Sequence, residues 1–328
     1  EDSAELAMDA LDVMIDEVIY AGTVIIVDIM NAYGVTSVFD AGVMGEFDTA
    51  KSVLVRLETD GELTVRIVGS SRPETEEEFA QAVSVAEHWR ANLKGTYFHY
   101  NTLKIPHDGT VEGRTAAMFE DYQGEPGNSG QTVFTEDQLV AMITDAASRN
   151  IDVHVHALGE RAIHETLNAI EAAQASEADS ETRYTICHVQ VITEQDVERF
   201  GELGVIAQST PLWASYDTYG EQFVSADQFQ RFWRYKSLED AGARLTFGSD
   251  FPASGAGTLG LSPVVQIEIG HTRQELGNPD APIQPREAER LSIESLVRGF
   301  TIDAAYQLHM EDQIGSIEVG KKADMVAL

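Results

Sequence analysis

The sequence predicts an α/β fold in which parallel strands alternate with helices. Three observations carry that prediction. Apolar residues switch between a period of two and a helical period along nearly the whole chain. The units so marked recur at intervals of roughly 30 to 45 residues, the spacing of strand-helix-strand repeats. One stretch, Ile151 to Ile163 (I-D-V-H-V-H-A-L-G-E-R-A-I), holds both patterns joined by a short turn. Strand side chains alternate in direction, so His154 and His156 face one side, with His156 nearer the carboxyl end of its strand. An open doubly wound sheet and a closed barrel both fit this alternation.

The elements follow in order. Leu6, Leu11, Met14, Ile15, Val18 and Ile19 lie at helical spacing over residues 4–20, and the run Thr23 to Tyr33 fits helix or strand. Strands are predicted at Val35 to Gly42, Leu63 to Ser70 and Thr96 to Ile105, with a helix over Glu74 to Leu93. Pro106 to Gln131 is irregular and rich in glycine and proline. Thr135, followed by Glu136 and Asp137, starts a helix that runs to Asn150. After the strand ending at His156, Ala162 to Ala175 is helical, Tyr184 to Val189 is a strand, and Thr193 caps a helix through Leu203. Gly204 to Gln208 is a short strand, Ser237 to Ala241 a helix, and Ala243 to Ser249 the last strand of the series.

Size and charge narrow the function. A chain of 328 residues with 43% hydrophobic content can fill a real core. The formal charge is -33, and the lysines are only Lys51, Lys94, Lys104, Lys236, Lys321 and Lys322. Such a surface repels phosphate backbones and anionic membranes, so neither nucleic acid nor membrane is an expected partner. It suits a salt-rich environment. The most apolar early run, Val18 to Val27, is too short to cross a bilayer and is flanked by Asp16, Glu17 and Asp28. No basic export signal opens the sequence; the cytoplasm is the expected compartment, and export stays open because the sequence reads as lacking its N-terminal part. The single cysteine, Cys187, cannot form an internal disulfide, and in its apolar run it reads as a buried inert thiol.

Strand tips supply the chemistry. Lys104, His156, His188 and Asp250 each lie at or near the end of a predicted strand, in four different units. A barrel gathers such tips around one mouth. Two imidazoles and a carboxylate suit zinc or a similar divalent ion, which lowers the pKa of bound water to about 7. Rival patterns are weaker. Gly255-Ala-Gly257-Thr-Leu-Gly260 spells a dinucleotide fingerprint, but Pro252 and Ser254 separate it from the strand and Pro263 interrupts the helix to follow. His164-Glu165-Thr166-Leu167-Asn168 begins like a zinc-protease helix and has Asn where the second His is needed. For the aromatic set between Trp213 and Tyr235, a substrate lid, a subunit contact in a homodimer and core packing all stay open.

Five segments together resemble a known family: K-I-P-H-D-G-T-V-E-G-R-T-A from Lys104, H-A-L-G-E-R-A from His156, Cys187-His188-Val189-Gln190, Gly248-Ser249-Asp250-Phe251-Pro252, and G-S-I-E-V-G-K-K-A-D-M-V-A-L from Gly315. They look like the metal-dependent amidohydrolase superfamily, within it amidohydrolase family 3, the branch that includes N-substituted formamide deformylases. The resemblance implies a TIM (β/α)8 barrel with a small β-sandwich domain, and hydrolysis of a C–N bond, not a peptide bond, in a small amide-type substrate. It implies one or two divalent ions, with Lys104 carboxylated and bridging them, His156 and His188 binding the second, and Asp250 binding metal and moving the proton. Asp108, Arg114, Arg161 and Arg273 match positions around the family's barrel mouth, where substrate binds.

One departure shapes these expectations. The family's first strand carries a His-x-His pair, and no histidine precedes Val35; the only such pair here is His154-Val155-His156. The sequence therefore reads as an internal fragment of a longer hydrolase, with a truncated barrel over residues 1–312 and the opening of the sandwich segment over residues 313–328. Taken as complete, it reads instead as a mononuclear or inactive barrel serving as a binding module.

Overall fold

The computed structural model describes residues 15–42, 47–73 and 76–327. The chain divides into two compact units, one ending at Leu103 and rejoined by Met325 onward, the other spanning Lys104–Asp324.

In the first unit the stretch left open by its pattern is a helix, Asp16–Ala32, followed by β1 (Ser37–Asp40), a helix Phe47–Asp60, β2 (Arg66–Ser71) and a helix Ala82–Asn92. The expected helical residues 4–14 lie outside the described residues. β1 pairs with β2 in parallel, Val38 beside Ile67, and β2 pairs in parallel with the start of β3 (Phe98–Pro106), Ile67 beside Phe98. Leu57, Val65 and Leu93 are fully buried among Val27, Trp89, Phe98 and Tyr100, so the helices' apolar stripes meet one face of these strands. The buried Asp40 carboxylate accepts the Tyr100 hydroxyl at 2.9 Å.

The second unit opens with the last residues of β3. A 13-residue helix Glu136–Ser148 follows the long irregular segment, and Thr135 caps it as its position predicts: its side chain accepts the Gln138 N–H while Gln138 reaches back to the Thr135 N–H. Then come β4 (Asp152–Ala157), a helix Glu160–Ser176, β5 (Tyr184–His188), a helix Glu194–Glu202 capped by Thr193, β6 (Ile206–Ser209), a helix Tyr235–Asp240 and β7 (Arg244–Phe247). β4 to β7 pair in parallel and in sequence order. That is barrel order, without the reversal that marks an open doubly wound sheet. Buried Val153, Val155 and Ile186 on the strands and Ile163, Leu167 and Ile170 on the covering helix make the core. Three helices, Pro263–Thr272, Ile293–Phe300 and Ile302–Gln307, close the series.

Residues 313–327, expected to open a β-sandwich, contain no strand. A strand needs a partner for its backbone groups, and this segment pairs with none of the described strands. Ile317 and Val319 stand exposed there, without apolar neighbours to bury them.

The connection from β4 to its helix is set by a knot of backbone bonds. Leu158 and Gly159 donate their N–H groups to the Asp108 carboxylate at 3.0 and 2.9 Å, and Arg161 donates its N–H to the Ala117 carbonyl at 2.9 Å. Distant groups thus satisfy the helix's orphan donors, because its N-cap, Gly159, has no side chain to do so. A methyl on Gly159 would lie 2.2 Å from the Ala117 oxygen and 2.7 Å from the Ala117 nitrogen. Gly159→Ala is expected to cost about 1 to 3 kcal/mol by overpacking against backbone, read as a lower urea midpoint with unchanged m.

Candidate metal centre

The register of β4 on β5 places His156 beside Cys187, so the imidazole and the thiol project from one face of the strands. Strict alternation would send His188 to the opposite face. The backbone prevents this: His188 and Val189 adopt φ of +74° and +50°, in the left-handed region, and Val there is an outlier because it is β-branched. The ring of His188 comes to 4.6 Å, centroid to centroid, from that of His156. Ligand atoms of His156, Cys187 and His188 all lie within 4.8 Å of one another. From the end of β3, the Lys104 ammonium donates to the Cys187 sulfur at 3.0 Å.

Left-handed backbone at such residues costs about 1 to 3 kcal/mol each and needs support. The Val189 N–H donates to the Ala157 carbonyl at 3.2 Å, and the Ser209 hydroxyl donates to the His188 carbonyl at 2.9 Å while bonding the Tyr235 hydroxyl at 2.8 Å. Asp250, three residues past β7, is likewise left-handed with φ of +46°.

Burial sets the charge states. It holds His188 well below the usual imidazole range, with His156 and Lys104 adding to the effect, and it does the same to His154 together with Lys104 and His156. Neutral imidazole is the form that binds metal. Burial pushes the Cys187 thiol up, and Lys104 opposes it. Burial also raises the Asp250 carboxyl, again against the pull of Lys104. The donor set therefore fits a divalent ion: two imidazoles, that of His188 held neutral by burial, a sulfur and a nearby carboxyl, brought together by the bend at His188.

Around this group the other expected residues take different places. Asp108 accepts three N–H groups, from Ala117, Leu158 and Gly159, and burial still lifts its carboxyl to about 7. It stands 3.7 Å from His156 Nε2, whose nitrogen also lies 3.3 Å from the Gly109 carbonyl. A cavity of about 630 Å³ opens from Asp108 and Gly109 toward Arg114, Thr115, Asn128 and Gln131, within the irregular segment. Arg114 pairs with Glu125 and lies over the Phe223 ring. Arg161 donates to the carbonyls of Met118 and Gly130, each at 3.1 Å. Arg273 is fully buried, and its guanidinium donates to the carbonyls of Trp233, Phe232, Gln284 and Pro285. The structure thus ties Arg161 and Arg273 to main-chain oxygens.

Two features escaped the sequence. Cys187 belongs to the group, which its cross-strand position beside His156 would have indicated had the register been known. The second is a polar chain next to His188: Gln190 donates to Glu112 at 2.7 Å, burial and the neighbouring Asp217 raise the Glu112 carboxyl, and the Asp217 N–H donates to Gln284 at 2.9 Å. Trp213 packs its ring 5.6 Å from that of His188. Of the aromatic set, Phe229, Phe232, Trp233 and Tyr235 are buried core, and Tyr219 is exposed. His164 bonds the buried Asp196 of the next helix at 3.0 Å, and Gly257–Leu261 is a single 3-10 turn, so neither rival pattern forms its site.

The sequence profile of the amidohydrolase family matches residues 3–328. The chain belongs to the amidohydrolase family. Amidohydrolases are generally metal-dependent hydrolases, in keeping with the donor group above. This amidohydrolase is similar to the protein LONG AFTER FAR-RED 3 of Arabidopsis thaliana, 27% identical over 241 residues that make 73% of this chain and 40% of that one. It is similar to the N-substituted formamide deformylase of Arthrobacter pascens, 24% identical over 216 residues, 65% of this chain and 38% of that one. It thus spans about two fifths of the curated relatives it matches. Among solved structures, an uncharacterized metal-dependent hydrolase of Pyrococcus furiosus superposes with a TM-score of 0.71 at 25% identity, covering 90% of this chain and 56% of that one.

The buried bonding of Arg273 generates a test. Arg273→Ala orphans main-chain carbonyls inside the protein, at about 1 to 3 kcal/mol for each unpaired group. The thermal midpoint is expected to fall sharply, while bound metal per folded chain stays unchanged by elemental analysis.

Proposed function

We propose that this amidohydrolase cleaves a C–N bond of a small amide or N-substituted formamide by water attack at a divalent metal centre. The observation that carries the reading is the convergence at strand ends of His156 and His188, ring against ring, with Lys104 and Asp250 in electrostatic reach. His156 and His188 would hold the ion, with Asp250 beside it. A divalent ion there would supply a water of lowered pKa and would polarise the substrate carbonyl, and zinc suits imidazole donors.

The chain's own groups do the rest. Asp250 takes the proton of the attacking water and returns it to the departing nitrogen; its carboxyl, raised by burial, exchanges a proton more readily near neutrality than an exposed aspartate. Trp213 offers an aromatic wall against His188. The cavity bounded by Asp108, Gly109 and Arg114 gives the irregular segment a part in substrate choice, as loops on a rigid scaffold commonly have. The likeness to an N-substituted formamide deformylase supports a formamide or related amide as the acyl donor.

The test is amine release from a panel of N-substituted formamides and N-acyl amines, using protein stripped with chelator and reloaded with zinc. Activity is expected only after reloading. His156→Ala and Asp250→Ala are expected to lower kcat by at least about 100-fold with unchanged circular dichroism. Full activity in both variants, or activity indifferent to chelator, would sink the reading.

A further inference from the structure

We infer that Glu112 and Asp217 form a subsite for a primary ammonium group, so that the substrate is a formamide or related amide whose amine portion carries a second, protonated nitrogen. The inference rests on the proposed hydrolysis and deepens it by naming the substrate class. It concerns two loops outside the metal centre, those that follow β3 and β6.

Position argues first. Glu112 lies in the irregular segment after β3, and Asp217 in the loop after β6, among the strand-end loops on which a barrel carries substrate choice. Both residues are partly exposed. Each is also held in place: Glu112 Oε1 accepts the Gln190 amide at 2.7 Å, and Asp217 Oδ1 accepts the N–H groups of Tyr219 and Gly220 at 3.0 and 2.7 Å. Gln190 stands two residues beyond His188, a span of at most about 7 Å. Trp213, on the loop of Asp217, sets its ring 5.6 Å from that of His188. The pair thus stands within reach of a small molecule whose carbonyl is at the centre.

Charge and hydrogen bonding argue second. Burial, with the neighbouring Asp217 adding to it, raises the Glu112 carboxyl. Neither acid has an ion pair among the described residues. Beside them, Gln190 is 1% exposed and its Oε1 has no hydrogen-bond partner, a costly state for a buried carbonyl. That oxygen shares its amide with the nitrogen bonded to Glu112, so it belongs to the same group. A primary ammonium brings one positive charge and three N–H donors, matching two carboxylates and this oxygen. The Trp213 ring suits the apolar spacer between amide and ammonium, which selects an organic cation over a hydrated metal ion.

The test compares N-formyl-diaminobutane with N-formylbutylamine, the same formamide without the ammonium, at fixed ionic strength. Binding to chelator-stripped protein is followed by tryptophan fluorescence, and kcat/KM is measured on zinc-loaded protein. The cationic compound is expected to be preferred at least about tenfold in both, and Glu112→Gln to bring the ratio to about one. That variant removes one of 55 acidic residues, so a lost preference reports the subsite and not the general field of the surface. Asp217→Asn gives the same readout should Glu112→Gln fail to fold. Equal handling of the two compounds by the wild type, or a preference unchanged in both variants, overturns the inference, and hydrolysis of both compounds leaves the proposed function standing. Calcium that binds the stripped protein stoichiometrically and is lost in Glu112→Gln assigns the pair to a metal ion and overturns the inference. A binding preference removed by Glu112→Gln, with neither compound hydrolysed, supports the subsite and overturns the proposed function.

Discussion

Left-handed backbone at His188 and Val189 makes two consecutive residues of one strand serve one point in space. In regular β-structure, Cys187 and His188 would face opposite sides, and the second imidazole would be lost to the covering helices. The bend is unfavourable for both residues, and for Val189 especially. It persists because neighbouring strands hold it: the Ala157 carbonyl takes the Val189 N–H, and the Ser209 hydroxyl, itself tied to Tyr235, bonds the His188 carbonyl. Local strain in β5 is thus balanced by the order of β4, β5 and β6, and the candidate centre depends on all three.

The same dependence holds one turn away. Asp108 gathers the N–H groups of Ala117, Leu158 and Gly159, so the irregular segment that lines the cavity is fastened to the start of the helix after β4. Three donors favour a charged carboxylate, while burial disfavours it, and burial wins by raising the carboxyl to about 7. The residue is therefore a polar anchor close to His156. The sequence resemblance places it around the barrel mouth, and in the folded chain it also lines the cavity beside Gly109 and Arg114.

Most of the fold was legible because strand and helix patterns are local. The alternation around His154 and His156, the cap at Thr135 and the cap at Thr193 are all stated by residues within a few positions of one another, and all three form. The arrangement of Lys104, His156, His188 and Asp250 at strand ends was legible for the same reason. Cys187 was not, since its membership depends on a cross-strand register and on a positive φ next door, neither of which a local pattern encodes. Nor was the placement of Arg273, whose acceptors are main-chain carbonyls at residues 232, 233, 284 and 285, invisible in any pattern of side chains. The C-terminal half of the first helix was ambiguous because Thr23 to Tyr33 is apolar on nearly every side, which satisfies either period.

Charge ties the interior to the surface. The chain carries 55 acidic against 22 basic residues, and several of the arginines are drawn into internal pairs, Arg234 with Glu289 and Arg183 with Glu311 among them. The solvent-facing balance is accordingly strongly negative. Such a field raises the local concentration of cations, divalent metals and amines included, and disfavours anionic substrates. Exposed charges are screened beyond about 8 Å at physiological ionic strength, so added salt weakens this attraction at a distance. The buried contact of Lys104 with Cys187 is shielded from that screening. Salt should therefore change how fast a cation reaches the centre more than how tightly the donors grip it, separating the work of the surface from that of the strands.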